Sequence, residues 1–280
     1  MHALSDLFYP LIAKPKSTLQ YREVVPSKWL KPYIRCFWGS DRPLPPFQKA
    51  GGKTEAPTLV IPDACMDIVV TINHSSGKTR TVFCGINDAP FFAAADPQTA
   101  LTSTFGIRFY FWAAALFADI SMKEALNTFT EVEQYFHDFH EKLAGILLER
   151  QTLTDRVAVA ESYLLHRLQS SRPLRPNTLN ALHLILKSKG LISMPDLCAS
   201  LAISPRQLER LFADATGASP KKIADIVRFQ MIWRDMLCGR SRNFSDLVYQ
   251  YRFSDQPHFI NSFKKFAGQA PLAALQYARS

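Results

Sequence analysis

A chain of 280 residues, 47% of them hydrophobic, can bury a sizeable core and divides most naturally into two domains. Its formal net charge of +9 is unevenly placed: residues 1–170 hold 17 Lys+Arg and 17 Asp+Glu, whereas residues 171–280 hold 16 against 7. The excess positive charge therefore belongs wholly to the second domain, which fits a polyanionic partner there, with nucleic acid ahead of a membrane surface.

The most apolar window, "FGIRFYFWAAALFADI" (105–120), has 16 residues with Arg108 among them, too short to span a bilayer. The opening "MHALSDLFYPLIAKPKS" lacks the apolar run and cleavage site of a secretory signal, so no membrane association and a cytoplasmic location are expected. Cys36, Cys65, Cys84, Cys198 and Cys238 show no CxxC and no regular spacing, so reduced and mostly buried thiols are the expectation.

In chain order, the first 120 residues read as strand-rich. "TLVIPDACMDIVVTIN" (58–73) contains a β-branched run, "HSSGKTR" has turn chemistry, and "TVFCGI" supplies a partner strand, together a barrel-like or sandwich-like domain. From 121 the pattern changes. Met122, Ala125, Phe129, Val132, Phe136, Phe139, Leu143 and Ile146 recur in steps of three and four, which predicts one helix, or two with a break near Thr128 and Thr130. That apolar seam also predicts a homodimer through residues 122–148. A further helix is expected over 153–169, capped by Thr154 or Asp155. The polar, proline-bearing "SSRPLRPN", which begins at Ser170, supplies the linker, taken as residues 171–177.

The basic domain, 178–280, contains a repeat. "SPRQLERLFADATGASP" (204–220) overlays "DQPHFINSFKKFAGQAP" (255–271): Ser204 meets Asp255, Leu208 meets Phe259, Phe212 meets Phe263, Gly217 meets Gly268 and Pro220 meets Pro271. Upstream, "DLCASLAIS" (196–204) matches "DLVYQYRFS" (246–254). Each unit reads as a short helix, a tight turn, and a second helix opened by a Ser or Asp cap and closed near glycine, which is the helix-turn-helix plan twice over. Pro205 and Pro257 fall in first helical turns, where a missing amide leaves no bond unmade. Between the units, "KKIADIVRFQMIWRDMLCG" (221–239) predicts a connecting helix roughly 25 Å long, enough to set two reading helices about one DNA turn apart.

The outward sets are Ser204, Arg206, Gln207, Glu209 and Arg210 in the first unit and Gln256, Pro257, His258, Asn261, Lys264 and Lys265 in the second. Arg206 and Arg210 suit base edges, and Lys264 and Lys265 suit phosphates.

Residues from about Leu179 to Leu275, above all "DLCASLAISPRQLERLFADATGASP", "RFQMIWRDML" and "YRFSDQPHFINSFKKFAGQAP", resemble the AraC/XylS DNA-binding module. Upstream, "YREVVPSKWLKPYIRCFW", "IPDACMDIVV" and "GIRFYFWAAALF" are similar to an N-terminal domain found in some members of that family. The resemblance implies a promoter-binding regulator with a sensing or dimerising N-terminal half, and places base-reading roles on Arg206, Glu209, Arg210, Gln256, Pro257, His258 and Asn261. Two departures stand out. Arg252 occupies a turn position where the family commonly carries glycine, so a left-handed backbone there would be strained. Pro257 and Asn261 offer fewer donors than arginine or glutamine, so the second helix is expected to position more than it specifies.

Elsewhere the chemistry is thin. Trp38, Cys65, Asp67 and Arg108 are the candidates for an effector pocket, against the alternative of a buried tryptophan beside a structural ion pair. Glu133, His137, His140 and Glu141 form a weak metal-site candidate, as do Cys36, Cys65 and Cys84, and no metal or cofactor is expected. No GxSxG, HExxH or phosphate loop is present, so the chain is not expected to be an enzyme; a cysteine-dependent enzyme or ligand-binding barrel with a basic tail is the competing reading. The expected fold is α+β, with a β-rich domain and packing helices at 1–170, then an all-α double helix-turn-helix domain. The expected partners are double-stranded promoter DNA, a small effector, and RNA polymerase in the case of an activator.

Overall fold

A computed structural model describes residues 4–14, 21–41, 43, 58–93, 101–240 and 243–279. After a short helix α1 (Leu4–Leu7) come strands β1 (Arg22–Val24), β2 (Ile34–Gly39), β3 (Thr58–Val60), β4 (Cys65–Asn73), β5 (Lys78–Cys84), β6 (Phe91–Ala93) and β7 (Thr102–Tyr110). In β4 the side chains of Met66, Ile68, Val70 and Ile72 are buried, while Asp67, Val69 and Thr71 between them are partly exposed. This period of two puts one face of the strand in a core. Antiparallel pairing sets Ile68 opposite Ile107 of β7 and opposite Phe83 of β5, so the same face continues across three strands. The turn from β4 to β5 is closed by Asn73, whose side-chain oxygen accepts from the amides of Ser75 and Ser76 at 3.0 Å.

With β8 (Phe129–Glu131) the strands form a six-stranded antiparallel sheet in the order β1-β2-β7-β4-β5-β8, and β3 pairs with β6 in a separate ribbon. Of the barrel-like or sandwich-like arrangements expected, a fully closed barrel does not form among the described residues, since β1 and β8 do not pair.

The long helical seam expected after residue 121 does not form. Helix α2 (Ala114–Phe117) is followed by β8, a 3₁₀ turn (Val132–Gln134) and a π-helical turn (His140–Ala144) that runs into α3 (Gly145–Glu149). Asn127 adopts a left-handed φ of 54°, and the exposed hydrogen-bonding edge of β5 recruits Phe129–Glu131 as a strand, which the β-branched Thr130 favours. Met122, Ala125, Val132, Phe136, Phe139 and Leu143 are still buried, but against their own domain: the Phe83 ring lies 4.5 Å from Tyr135 and 5.8 Å from Phe136. Phe129 and Ile146 remain 52% and 39% exposed. The seam proposed to join two copies is thus already occupied by the chain's own sheet. Helix α4 (Leu153–Gln169) follows as expected, except that its cap is Thr152, whose hydroxyl accepts from the Asp155 amide at 3.1 Å.

The C-terminal helices are α5 (Pro176–Lys187), α6 (Met194–Leu201), α7 (Pro205–Thr216), α8 (Pro220–Leu237), α9 (Phe244–Gln250), α10 (Gln256–Ala267) and α11 (Pro271–Arg279). Because α4 ends at Gln169 and α5 starts at Pro176, the polar connection is residues 170–175, one residue shorter than the expected linker and ending two residues earlier. Helices α6 and α7 make the first unit, α9 and α10 the second, and α8 joins them.

The N-terminal domain grips this assembly at several points. Gln230 of α8 accepts from the Leu11 amide at 2.8 Å and donates to the Pro62 carbonyl at 2.7 Å, and Trp233 donates to the Ile12 carbonyl at 3.2 Å. Lys222 pairs with Asp88, which is itself held by Asn127 at 2.8 Å. The Met122 amide donates to the Asp214 carbonyl of α7 at 3.0 Å. Gly217, at φ 72°, lies so close that a Cβ there would stand 2.4 Å from the Met122 carbonyl oxygen. Gly217→Ala is therefore expected to destabilise the protein by more than the ~1–2 kcal/mol of a left-handed alanine, and by more than Gly268→Ala, whose added Cβ would meet the side chains of Pro90 at 3.3 Å and Leu59 at 3.9 Å and no backbone as close. Urea unfolding measures the difference, and hydrogen exchange at the Met122 amide reports whether the junction has opened.

Candidate nucleic-acid interface

The two reading helices are built alike. Ser204 caps α7 by accepting from the Gln207 amide at 3.2 Å, and Asp255 caps α10 by accepting from the His258 amide at 2.7 Å. That bond, followed by one from Ser254, holds the Asp255 carboxyl below the usual carboxylate range. Each helix ends on a left-handed glycine, Gly217 and Gly268, both at φ 72°. Leu208, Leu211 and Phe212 are buried in the first unit, as are Phe259, Phe263 and Phe266 in the second.

The opposite faces are open. Ser204, Arg206, Gln207, Glu209 and Arg210 are exposed on α7, and Gln256, Pro257, His258, Asn261, Lys264 and Lys265 on α10. Among the described residues, the side chains of Arg206, Glu209, Arg210, Gln256, Asn261 and Lys264 make no hydrogen bond or ion pair. His258 is more constrained: Nδ1 lies 3.0 Å from the Ser254 hydroxyl and the ring meets Phe253 edge-on. Its remaining ring nitrogen is the one left for a partner. Lys264 and Lys265 lie in the last turn of α10, where cations also favour the helix dipole. The domain junction touches the far end of α7, at Asp214 and Gly217, and leaves its reading end clear.

The candidate effector residues converge from three strands. Pairing sets Cys36, Arg108, Asp67 and Cys84 in one row across β2, β7, β4 and β5. Trp38 donates to Asp67 at 2.7 Å, Arg108 donates to it at 3.0 Å, and Arg108 also lies 3.7 Å from Asp63. The indole lies on Gly106, where a Cβ would come within 2.1 Å of the ring, and Tyr21 packs 5.5 Å from it. Burial works against the Arg108 charge, but Asp67 and Asp63 outweigh it and keep the guanidinium ionised; burial pushes the Asp63 carboxyl up. With Arg108 and Asp67 side chains only 11% and 14% exposed, the cluster is largely closed and internally paired. Cys65 lies beside it, buried. A wider, open cleft of about 660 Å³ lies instead at the junction, lined by the Ala115–Ser121 stretch, the end of α4 near Arg167, and Asp214 of α7.

The histidines of the weak metal candidate turn to different carboxylates: His140 lies 3.8 Å from Glu133 and His137 lies 3.8 Å from Asp119.

Residues 197–277 match the family described as Helix-turn-helix domain, over both units and the helix between them. The C-terminal region is an AraC-type helix-turn-helix domain. Residues 22–131, which hold all six strands of the sheet, match a Domain of unknown function (DUF6597). No curated protein matches the chain. Among solved structures the chain is similar to ToxT from Vibrio cholerae O395, at 12% identity over 80% of this chain and 95% of that one, with a TM-score of 0.40. It is also similar to unsaturated fatty acid bound wild-type ToxT from Vibrio cholerae strain SCE256, at 14% identity over 79% and 89%, with a TM-score of 0.39. Among the described residues no helix is long and apolar enough to cross a membrane.

Two residues of the AraC-type domain that sequence reasoning passed over hold its second unit in place. Arg228 stacks 3.8 Å over Phe253 and donates to the Tyr251 carbonyl, and buried Asp235 accepts from Tyr251 at 2.7 Å and Gln250 at 3.0 Å. The signal was a charged residue inside each apolar run of 221–239.

Burial pushes the Cys36 and Cys84 thiols up to about 12 and the Cys65 thiol well above its ordinary value, opposite to what a nucleophile needs. Titration of the native protein with a thiol reagent at pH 8 is expected to show one fast thiol, the exposed Cys238, with Cys36, Cys65, Cys84 and Cys198 reacting after unfolding. Fast labelling of Cys65, located by mass spectrometry, would instead revive the cysteine-enzyme reading.

Proposed function

We propose that this protein is a sequence-specific transcription regulator in the cytoplasm, in which residues 178–280 bind double-stranded promoter DNA and residues 1–170 bind a small effector. The observation that carries the reading is the duplication: two helices that each open on a side-chain cap, end on a left-handed glycine and present an exposed polar face, in the part of the chain that holds all the excess positive charge. Arg206 and Arg210, one turn apart, have the forked donors that read guanine edges, and Glu209 beside them can accept from a cytosine amine. In the second unit the positions equivalent to Arg206 and Arg210 are Pro257 and Asn261, so α10 reads less and positions more. Gln256, His258, Lys264 and Lys265 then supply contacts to the phosphates and groove walls, with Gln207 and the Ser204 cap doing so in the first unit. As an activator the protein would act on RNA polymerase.

The effector side rests on the Trp38, Cys65, Asp67 and Arg108 cluster. A ligand there would have to replace the bonds that Trp38 and Arg108 make to Asp67, so a bound ligand should change Trp38 fluorescence and raise the melting temperature in a metabolite screen.

For the DNA side, Arg206→Ala is expected to weaken binding to the preferred duplex by roughly 1–3 kcal/mol and to relax its base preference, while Lys264→Ala weakens all sequences alike. Titrations against a duplex selected from random DNA and against its scrambled version read both effects. Equal losses for both variants on both duplexes would remove this division of roles.

A further inference from the structure

The two units share a backbone but not an outer surface. At an offset of 50, Asp196 and Leu197 keep their type as Asp246 and Leu247, whereas Ala199, Ser200 and Ala202 become Tyr249, Gln250 and Arg252. Gln250 is accounted for by its bond to Asp235. Tyr249 and Arg252 are not. Tyr249 is 89% exposed, Arg252 is exposed, and neither side chain has a hydrogen-bond, ion-pair or ring partner among the described residues.

Both residues run against local physics. A tyrosine ring almost wholly in water gains little from folding. Arg252 adopts φ 53°, the left-handed conformation that disfavours any residue with a Cβ. Ala202 adopts φ 50° at the matching place in the first unit, so the turn itself demands this backbone and only the arginine side chain is particular to the second. The strain is thus tolerated where the side chain adds a long, permanently charged arm.

Their position indicates what the arm meets. Arg252 closes the last turn of α9, its amide donating to the Tyr249 carbonyl at 3.1 Å, and lies three residues before the Asp255 cap of α10. In a helix-turn-helix the first helix crosses the DNA backbone and the second enters the groove beside it, so the intervening turn faces the phosphates. The start of α10 is a poor phosphate site on its own account, because its cap is an ionised aspartate where α7 has a neutral serine.

We propose that Tyr249 and Arg252 grip the DNA backbone, making the second unit the anchor of a complex whose first unit reads the sequence. Arginine and tyrosine both donate to phosphate oxygens, and only arginine also neutralises one. This inference rests on the DNA-binding reading above.

The test uses the full chain, the selected duplex and its scrambled version across a salt series. Arg252→Gly is expected to weaken both duplexes by the same factor, about tenfold, and to lower the salt slope by about 0.9, without lowering the melting temperature. Arg252→Lys should keep the slope, Tyr249→Phe should weaken both duplexes alike at an unchanged slope, and Ala202→Gly should leave affinity as it was. An unchanged affinity and slope in Arg252→Gly would overturn the proposal. A loss confined to the selected duplex would also overturn it, since Arg252 would then be reading bases. So would transcription lost at intact DNA affinity, which would assign the pair to a protein partner. Should the unaltered protein bind no duplex, the DNA-binding reading itself falls, independently of any variant.

Discussion

Burial of α8 on nearly every side is the constraint from which the arrangement follows. Twelve of its eighteen residues are buried, including Gln230 and Asp235, so the helix needs partners all round. The second reading unit covers one of its sides, where Phe229 packs on Phe263 and Phe266 at 5.3 and 5.2 Å, and the α5–α6 connection covers another, where Ala224 backs onto the turn at Gly190. The N-terminal domain covers a third through Gln230 and Trp233. With 18 residues the helix is about 27 Å long, and because it cannot rotate without exposing apolar surface, the spacing and facing of α7 and α10 are set by packing.

That packing also bears on how a signal could travel. The N-terminal domain touches the first unit at Asp214 and Gly217, the connecting helix at Lys222, Gln230 and Trp233, and the second unit at Gly268. A shift of the loops around Asp88 and Met122 would therefore move against both reading helices together. The cleft bounded by Asp214 lies at one of these contacts.

The two units divide the work by chemistry. The first presents Arg206 and Arg210, whose planar forks match base edges, over a neutral cap. The second replaces them with Pro257 and Asn261, caps its helix with an ionised aspartate, and adds bulk and charge on the preceding helix and turn. In the N-terminal domain a different economy holds. Arg108 is nearly enclosed by Asp67, Asp63 and Trp38, and removing one partner of such a pair typically destabilises a protein by about 3–5 kcal/mol because the other charge is left buried alone.

The sequence by itself determined whatever depends on neighbours within one or two turns: the duplicated caps at Ser204 and Asp255, the glycines that end both helices, the prolines in first turns, and the strained turn at Arg252. Such features are legible because their hydrogen bonds close within four residues. Only the tertiary structure decided the fate of residues 121–149, where helical spacing gave way to β8 because the edge of β5, far away in the chain, needed a partner. It likewise decided that β1 and β8 do not pair among the described residues, that Trp38, Asp67 and Arg108 meet from three strands, and that the two domains lock around α8. These outcomes turn on surfaces brought together across scores of residues, and no local pattern carries that information.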